Sequence, residues 1–173
     1  MTTTMLDQRA LVIPSRNEMR NLLLERRFEE VSALYQRFHH AYQDKDLPEK
    51  DLEHAYAASE AYRKELTEPL REWVQLDPYF YPAQLSLGLH LLARGFQLRT
   101  YRLARDIPKE NLQEMAEVMS KAKAIFLHCL TLDRQATLAY TNLIHLRTQR
   151  GERGWEEYIS ALKANPESMS LRR

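Results

Sequence analysis

One segment of the chain occurs twice, and each copy joins the end of one helix to the start of the next. The first copy, VQLDPYFYPAQLSLG, covers residues 74–88, and the second, LTLDRQATLAYTNLI, begins 56 positions later and covers residues 130–144. In both copies an apolar run ends at a Leu-Asp pair, and a second run with helical spacing follows it. Because one helix pair buries only a single face, such a repeat predicts several helix pairs stacked on one another.

The rest of the sequence also favours helices. Only four Gly and seven Pro occur among the 173 residues, which leaves little turn chemistry for a many-stranded sheet. We predict an all-α fold of antiparallel helix pairs, with about seven or eight helices. One domain is expected over residues 15–166, between a flexible or docked N-terminal arm over residues 1–14 and a frayed tail over residues 167–173.

Capping and spacing signals mark several helix boundaries. Ser15 and Glu18 form the S-x-x-E pattern of a capping box. Residues 25–38 fit either one long helix or a tight turn between two helices, and we favour the turn, with Phe28 opening the second helix. A further helix is predicted from about residue 52 to residue 66, with Thr67 as the N-cap of the next one. Residues 82–104 are the most apolar segment, which predicts a central helix.

The repeated segment resembles the tetratricopeptide repeat, a helix-turn-helix unit of 34 residues. Asp77-Pro78 takes the place of the pair that ends a unit, Leu87-Gly88 matches the family's Leu-Gly pair, and a third partial copy ends at Asn165-Pro166. The interval of 56 residues exceeds the family period, and Ile144 replaces the glycine in the second copy. The resemblance therefore implies an irregular, right-handed tetratricopeptide-like array with an enlarged central unit.

The chain as a whole is also similar to an uncharacterised bacterial family of tetratricopeptide-like domains, known as a domain of unknown function. The features that carry this resemblance are a Trp-Val and Asp-Pro step at residues 73–78, the Ala93–Gly95 run, and the long helix that follows it. This resemblance implies a helical fold and brings no chemistry with it.

Charge and targeting signals narrow the class of partner. The chain has 25 Lys+Arg against 24 Asp+Glu, a formal net charge of +1, so no global field draws it to nucleic acid or anionic lipid. Its first residues show no secretory or transit pattern, and no segment approaches the ~18 apolar residues that span a bilayer. The single cysteine, Cys129, cannot form an internal disulfide. We expect a cytoplasmic protein that binds neither nucleic acid nor membrane.

The sequence lacks recognisable catalytic motifs and metal-ligand spacings. It has no G-x-S-x-G, no P-loop and no dinucleotide glycine cluster. His39 and His40 are adjacent and diverge on a helix, and the Asp51 and His54 pair has no second copy to complete a di-metal site. We expect no metal, no cofactor and no enzyme activity.

An arginine row is the first candidate surface for binding a partner. It contains Arg94, Arg99, Tyr101, Arg102 and Arg105. Arginine forks bind carboxylates, and an aromatic neighbour is common in protein interfaces, so the row suits an acidic protein or peptide. The alternative is that these arginines pair with Glu110, Glu114 or Glu117 of the following helix.

A second candidate surface is implied by the tetratricopeptide register. The groove-facing positions of the helix that begins near Thr137 are mostly polar and suit an extended peptide: Leu138, Thr141, Asn142, His145, Thr148 and Gln149. Their equivalents one unit earlier are mainly apolar: Pro82, Leu85, Ser86, Leu89, Leu92 and Ala93. This contrast implies either an apolar groove or coverage by the N-terminal helices.

These patterns favour a non-catalytic protein–protein interaction module. The bacterial resemblance suggests a specific inhibitor, such as an immunity protein, or an adaptor as the first roles to consider. Two alternatives stay open. In the first, the chain is the N-terminal structural part of a longer helical solenoid. In the second, it is a ligand-binding helical bundle or an enzyme.

Overall fold

The computed structural model describes residues 11–99, 104–149, 151, 154–168 and 170–172. These residues form α-helices and short 3-10 turns without any strand, which confirms the all-α prediction. The helices are α1 (Arg16–Leu24), α2 (Phe28–Gln43), α3 (Glu49–Ala55), α4 (Ala57–Glu60), α5 (Thr67–Leu76), α6 (Tyr81–Arg99), α7 (Lys109–Leu132), α8 (Thr137–Gln149) and α9 (Trp155–Ala164). The 3-10 turns are Lys64–Leu66 and Ala104–Asp106.

Helix α6 is the centre of the fold. Every residue from Tyr81 to Leu92 is buried, and Leu85 and Ser86 have no exposed surface. Helices α4 and α5 pack on α6 together with part of α2, while α7 runs along it in the other direction. The apolar positions of α6 are therefore covered by the N-terminal helices and do not form an open groove. Beyond α7 the stack continues, because α8 packs on α7 and α9 packs on α8.

Two glycines allow α6 and α7 to approach closely. A Cβ atom on Gly88 would lie 2.7 Å from Phe126 Cε1 and 3.1 Å from Ile125 Cγ2. A Cβ atom on Gly95 would lie 2.5 Å from Met119 Cε. Glycine is required where a backbone approaches a neighbouring side chain this closely. The Leu-Gly pair noted in the sequence is thus explained by helix packing.

Helices α1 and α2 are separated by a tight turn, which confirms the two-helix interpretation. Arg26 adopts a positive φ of 55°, and the amides of Arg26 and Arg27 donate to the carbonyls of Leu23 and Leu22, both at 3.0 Å. This pattern is the Schellman motif, which satisfies the last carbonyls of a helix. Helix α2 ends in the same way, with Lys45 at a φ of 63°.

Replacing Lys45 with glycine is expected to raise the free energy of unfolding by about 0.5–1 kcal/mol, because the left-handed conformation is strained for any residue that carries a Cβ atom. The lysine side chain itself contributes little, since its contact with Glu167 joins two highly exposed groups 3.6 Å apart. Urea denaturation measures the change. Lys45→Ala is the control, and an equal gain in stability from alanine would contradict the role of backbone strain.

The segment before α5 differs from the single helix predicted there. It consists of α3, α4 and a 3-10 turn, with Ala61 and Arg63 in extended conformations. The extended backbone allows the Tyr62 ring to lie 4.9 Å from the His90 ring. Thr67 is not an N-cap, because its hydroxyl turns inward and shares a hydrogen bond of 2.9 Å with His90 Nε2. A buried polar atom such as His90 Nε2 needs a hydrogen-bond partner within the protein. The first amides of α5 do not need the Thr67 hydroxyl in the same way, because water can replace it as their partner.

The segment after α9 is packed, so the prediction of a frayed tail is wrong for its described residues. The Asn165 side chain donates to the Tyr42 hydroxyl at 2.8 Å, and the Ser168 hydroxyl donates to Glu49 Oε1 at 2.6 Å. Leu171 is buried as well. These partners lie on α2 and α3, far away in the sequence, so no local pattern reveals them. At the other end of the chain, Leu11 and Ile13 pack on the core, and residues 1–10 lie outside the described residues.

None of the helices formed by the described residues combines the length and the apolar character that crossing a bilayer requires.

Candidate functional site

The two copies of the repeated segment form the same local structure. Asp77 and Asp133 follow α5 and α7 in extended conformations, with φ, ψ of −145°, 92° and −134°, 128°. Each carboxylate accepts a hydrogen bond from the amide two residues later, at 3.1 Å from Tyr79 and 2.9 Å from Gln135. Asn165 ends α9 in a similar conformation, with φ −140° and ψ 82°. The Asp side chain therefore sets the turn that leads into the next helix.

These two turns form one wall of a groove, and α2 forms the other. The groove has a volume of about 870 Å³. Its lining residues come from three segments, namely Gln36, His39, His40 and Gln43 of α2, residues 79–82 of the first turn, and residues 132–135 of the second. The sequence did not single out this groove. The sequence features that correspond to the groove are the polar residues at positions 36, 40 and 43 of α2 and the aromatic run at residues 79–81.

An apolar recess of about 310 Å³ continues the groove towards the start of α2. Phe28, Trp73 and Leu76 line the recess, and it shares Gln36 and Phe80 with the main groove. Leu76 is 69% exposed and Tyr79, at the rim of the main groove, is 76% exposed. Large apolar side chains exposed beside a concave surface are typical of sites that bind other molecules.

The floor of the groove is braced by His39. Its Nε2 atom shares a hydrogen bond of 2.6 Å with the Tyr56 hydroxyl, and its Nδ1 atom lies 3.9 Å from Asp133 Oδ2. Burial lowers the pKa of His39, opposed by the nearby Asp133 carboxylate, so the imidazole is neutral at pH 7. The Tyr56 side chain has no exposed surface, and burial raises its pKa well above the ordinary value. The cluster therefore ties α2 to the end of α3 and to the second turn.

The predicted arginine row is only partly open to solvent. Arg94 Nε donates to Glu114 Oε1 at 2.9 Å, and the Arg94 guanidinium lies 5.0 Å from the centre of the Tyr62 ring. Arg94 therefore pairs with a glutamate of the following helix, as the alternative interpretation of the row predicted. Arg99 donates to the Gln149 side chain, and Arg105 is exposed, with Nε 3.8 Å from Asp106. Tyr101 and Arg102 lie outside the described residues.

The predicted strip on α8 is divided among different partners. The side chains of Thr141 and Asn142 donate to carbonyls of their own helix at 2.9 Å and 2.8 Å. The ring of His145 lies 5.2 Å from the ring of Phe96 on α6, and Gln149 accepts from Arg99. Leu138 lines a small cavity beside His39 instead. The structure thus joins the ends of the two predicted surfaces and separates Leu138 from the strip.

A second buried histidine, His90, lies inside the fold. Its Nε2 atom pairs with Thr67, while its Nδ1 atom has no hydrogen-bond partner among the described residues. Burial lowers the pKa of His90 to about 4, and the nearby Arg71 charge adds to the effect. The imidazole is therefore neutral in the folded protein at pH 7.

Acidification is expected to destabilise the fold through His90. The unfolded chain binds the proton with a pKa near 6.5 and the folded chain only near 4, so the free energy of unfolding falls as the pH drops through this window. The slope attributable to His90 is at most about 1.4 kcal/mol per pH unit. Urea denaturation between pH 7 and pH 4.5 measures it. His90→Gln should flatten the profile and the exposed His54→Gln should not, and equal profiles for the two variants would contradict this role.

The family of the chain follows from comparison with known protein families. A family model described as "Domain of unknown function (DUF4034)" matches residues 15–170. The chain belongs to this family. The DUF4034 match extends from the capping box of α1 to the packed segment after α9, so both walls of the groove lie within the family domain. No curated protein and no solved structure matches the chain.

The described part of the DUF4034 domain holds no cluster of metal-binding side chains. Among the residues that the structure describes, no three His, Cys, Asp or Glu side chains come together in a way that could hold a metal ion. The Cys129 thiol is buried, and burial raises its pKa to about 12, so it is not a reactive thiolate at pH 7.

Proposed function

We propose that this domain is a non-catalytic protein-binding module whose partner occupies the groove between α2 and the two turns. The observation that carries the proposal is the exposure of Leu76 and Tyr79 beside a groove lined with amide side chains. Protein interfaces commonly combine aromatic anchors with polar groups that hydrogen-bond to the partner. The burial of the Tyr56 hydroxyl supports a bracing role for the His39 cluster rather than a catalytic one.

We propose further that the domain is a tetratricopeptide-like array. Helices α6 and α7 would be the enlarged unit, and α8 and α9 the next unit. The matching conformations at Asp77, Asp133 and Asn165 support this assignment. The close approach at Gly88 supports it as well, since this glycine takes the position of the family's Leu-Gly pair.

An affinity capture tests the protein-binding function. The full chain is immobilised and exposed first to the products of neighbouring genes, which the immunity or adaptor hypothesis makes the first candidates, and then to whole lysate. Gln36→Trp should block the groove from an exposed position on α2, and the adjacent Arg37→Trp is the matched control, because Arg37 is exposed and does not line the groove.

The expected result is a partner that binds the wild type and Arg37→Trp but is lost from Gln36→Trp. Recovery of no protein partner by the wild type would contradict the function itself. A partner retained equally by both variants would leave protein binding intact and exclude the groove as its site.

A further inference from the structure

We propose that the occupant of the groove is an extended peptide of about six residues, with a large apolar side chain and a basic side chain at the Phe28 end and an acidic group at the Arg134 end. This inference rests on the proposed protein-binding function and names the chemistry of the partner.

The length of the occupant follows from α2. This helix lines the recess and the groove from Phe28 to Gln43, and the charged residue at the recess end, Glu29, lies 14 positions before Gln43. At 1.5 Å per residue these positions span roughly 21 Å, which an extended chain covers with about six residues at 3.3–3.4 Å each. Gln36 lies midway, where the recess meets the main groove.

The apolar recess specifies the first side chain. Trp73 closes its base with 2% of its surface exposed, while the exposed Leu76 forms its rim. The recess, at about 310 Å³, has room for a large aliphatic or aromatic side chain. Burying such a side chain removes the exposed surface of Leu76 from water, which favours binding.

The charges at the two ends of the groove set the direction of the peptide. Glu29 and Asp77 line the recess, and both are exposed. Arg134 lies on the second turn, which lines the main groove and not the recess, and its side chain is exposed. The neighbouring Asp133 carboxylate accepts from the Gln135 amide and lies 3.9 Å from His39. A peptide that is basic beside Glu29 and Asp77 and acidic beside Arg134 carries charges complementary to both sites, whereas the reverse orientation places like charges together.

The main groove suits a peptide backbone along its length. Gln36 and Gln43 on one wall and Gln135 on the other carry side-chain amides. Each amide offers both a donor and an acceptor, so the three can pair with N–H and C=O groups of an extended chain whatever its sequence. The anchors at the two ends then provide the specificity.

Selection from a displayed library of random heptapeptides against the full chain tests this inference. The enriched sequences are expected to contain a large apolar residue next to Lys or Arg, with Asp or Glu towards the other end. A synthetic consensus peptide is then titrated by fluorescence anisotropy. Glu29→Lys should weaken binding by about tenfold or more, while Glu110→Lys, an equivalent exposed first-turn position on α7, should not.

A reciprocal charge exchange completes the test. A peptide whose basic residue is replaced by Glu should bind Glu29→Lys more tightly than it binds the wild type. The inference is overturned by the absence of an enriched motif or by equal affinities of the peptide for the two charge variants. It is also overturned if the chain forms concentration-dependent dimers that Gln36→Trp abolishes, because a second copy of the chain would then fill the groove. A protein partner captured by the wild type alongside any of these outcomes would preserve the proposed function and reject only the peptide chemistry.

Discussion

Replacing Trp73 with alanine is expected to lower the free energy of unfolding by about 3–5 kcal/mol. The indole is nearly fully buried, and its ring lies 5.8 Å from Tyr35 and 6.0 Å from Phe80. Its Nε1 atom donates to the Ser32 hydroxyl at 2.9 Å. Alanine would leave a cavity between α2, α5 and the first turn and would leave that hydroxyl without its donor. Urea denaturation followed by circular dichroism measures the loss.

Two control variants separate packing from hydrogen bonding at this site. Trp73→Phe keeps most of the apolar volume and should lose less than alanine does, while Ser32→Ala should lose only about 1 kcal/mol. A loss from Ser32→Ala as large as that from Trp73→Ala would show that the hydrogen bond dominates and would contradict the packing explanation. Because Trp73 closes the base of the recess, Trp73→Phe should also weaken the binding of any peptide anchored there.

Gly88→Ala is expected to destabilise the fold by about 1–3 kcal/mol, although alanine favours a helix by about 1 kcal/mol over glycine. The added Cβ atom would lie 2.7 Å from the ring of Phe126, a rigid side chain with no exposed surface. Helices α6 and α7 would have to separate along their contact. Thermal and urea denaturation of the full chain report the change.

Gly95→Ala is the matched control for Gly88→Ala, about two helical turns further along the same contact. Its Cβ atom would meet the flexible end of Met119, which is only partly buried and can move aside. The expected net change is within about 1 kcal/mol of zero, because the gain in helix propensity offsets the adjustment. Equal destabilisation by the two substitutions would contradict the view that the rigid Phe126 ring sets the helix separation.

The sequence predicted those helix boundaries at which the signal is local. Ser15 and Glu18 form the expected capping box, with both hydrogen bonds present. The turn at Arg26 separates two helices as favoured, and the Leu-Asp pairs end α5 and α7. The sequence predictions failed where a residue far away in the chain takes the hydrogen bond that a local pattern would use. Thr67 has the residue type of an N-cap, but His90, which lies 23 positions later, takes its hydroxyl.

The candidate site was less predictable than the helices. Leu138 and Gln149 were predicted to lie on one strip, yet Leu138 lines a small cavity with His39, and Gln149 accepts a hydrogen bond from Arg99. The groove combines α2 with residues 79–82 and 132–135, three segments that are far apart in the chain. No spacing in the sequence relates them, because their meeting depends on how α2 packs over α6 and on where α7 ends.

The sequence by itself determined that this chain is helical and that its helices end at Asp77, Asp133 and Asn165, because periodicity and turn chemistry act over a few neighbouring residues. Only the tertiary structure decided that the N-terminal helices cover α6, that the segment after α9 binds α2 and α3, and that His39 lies beside Asp133. These contacts join residues remote in the chain, and they depend on the packing of whole helices, which local sequence patterns do not encode.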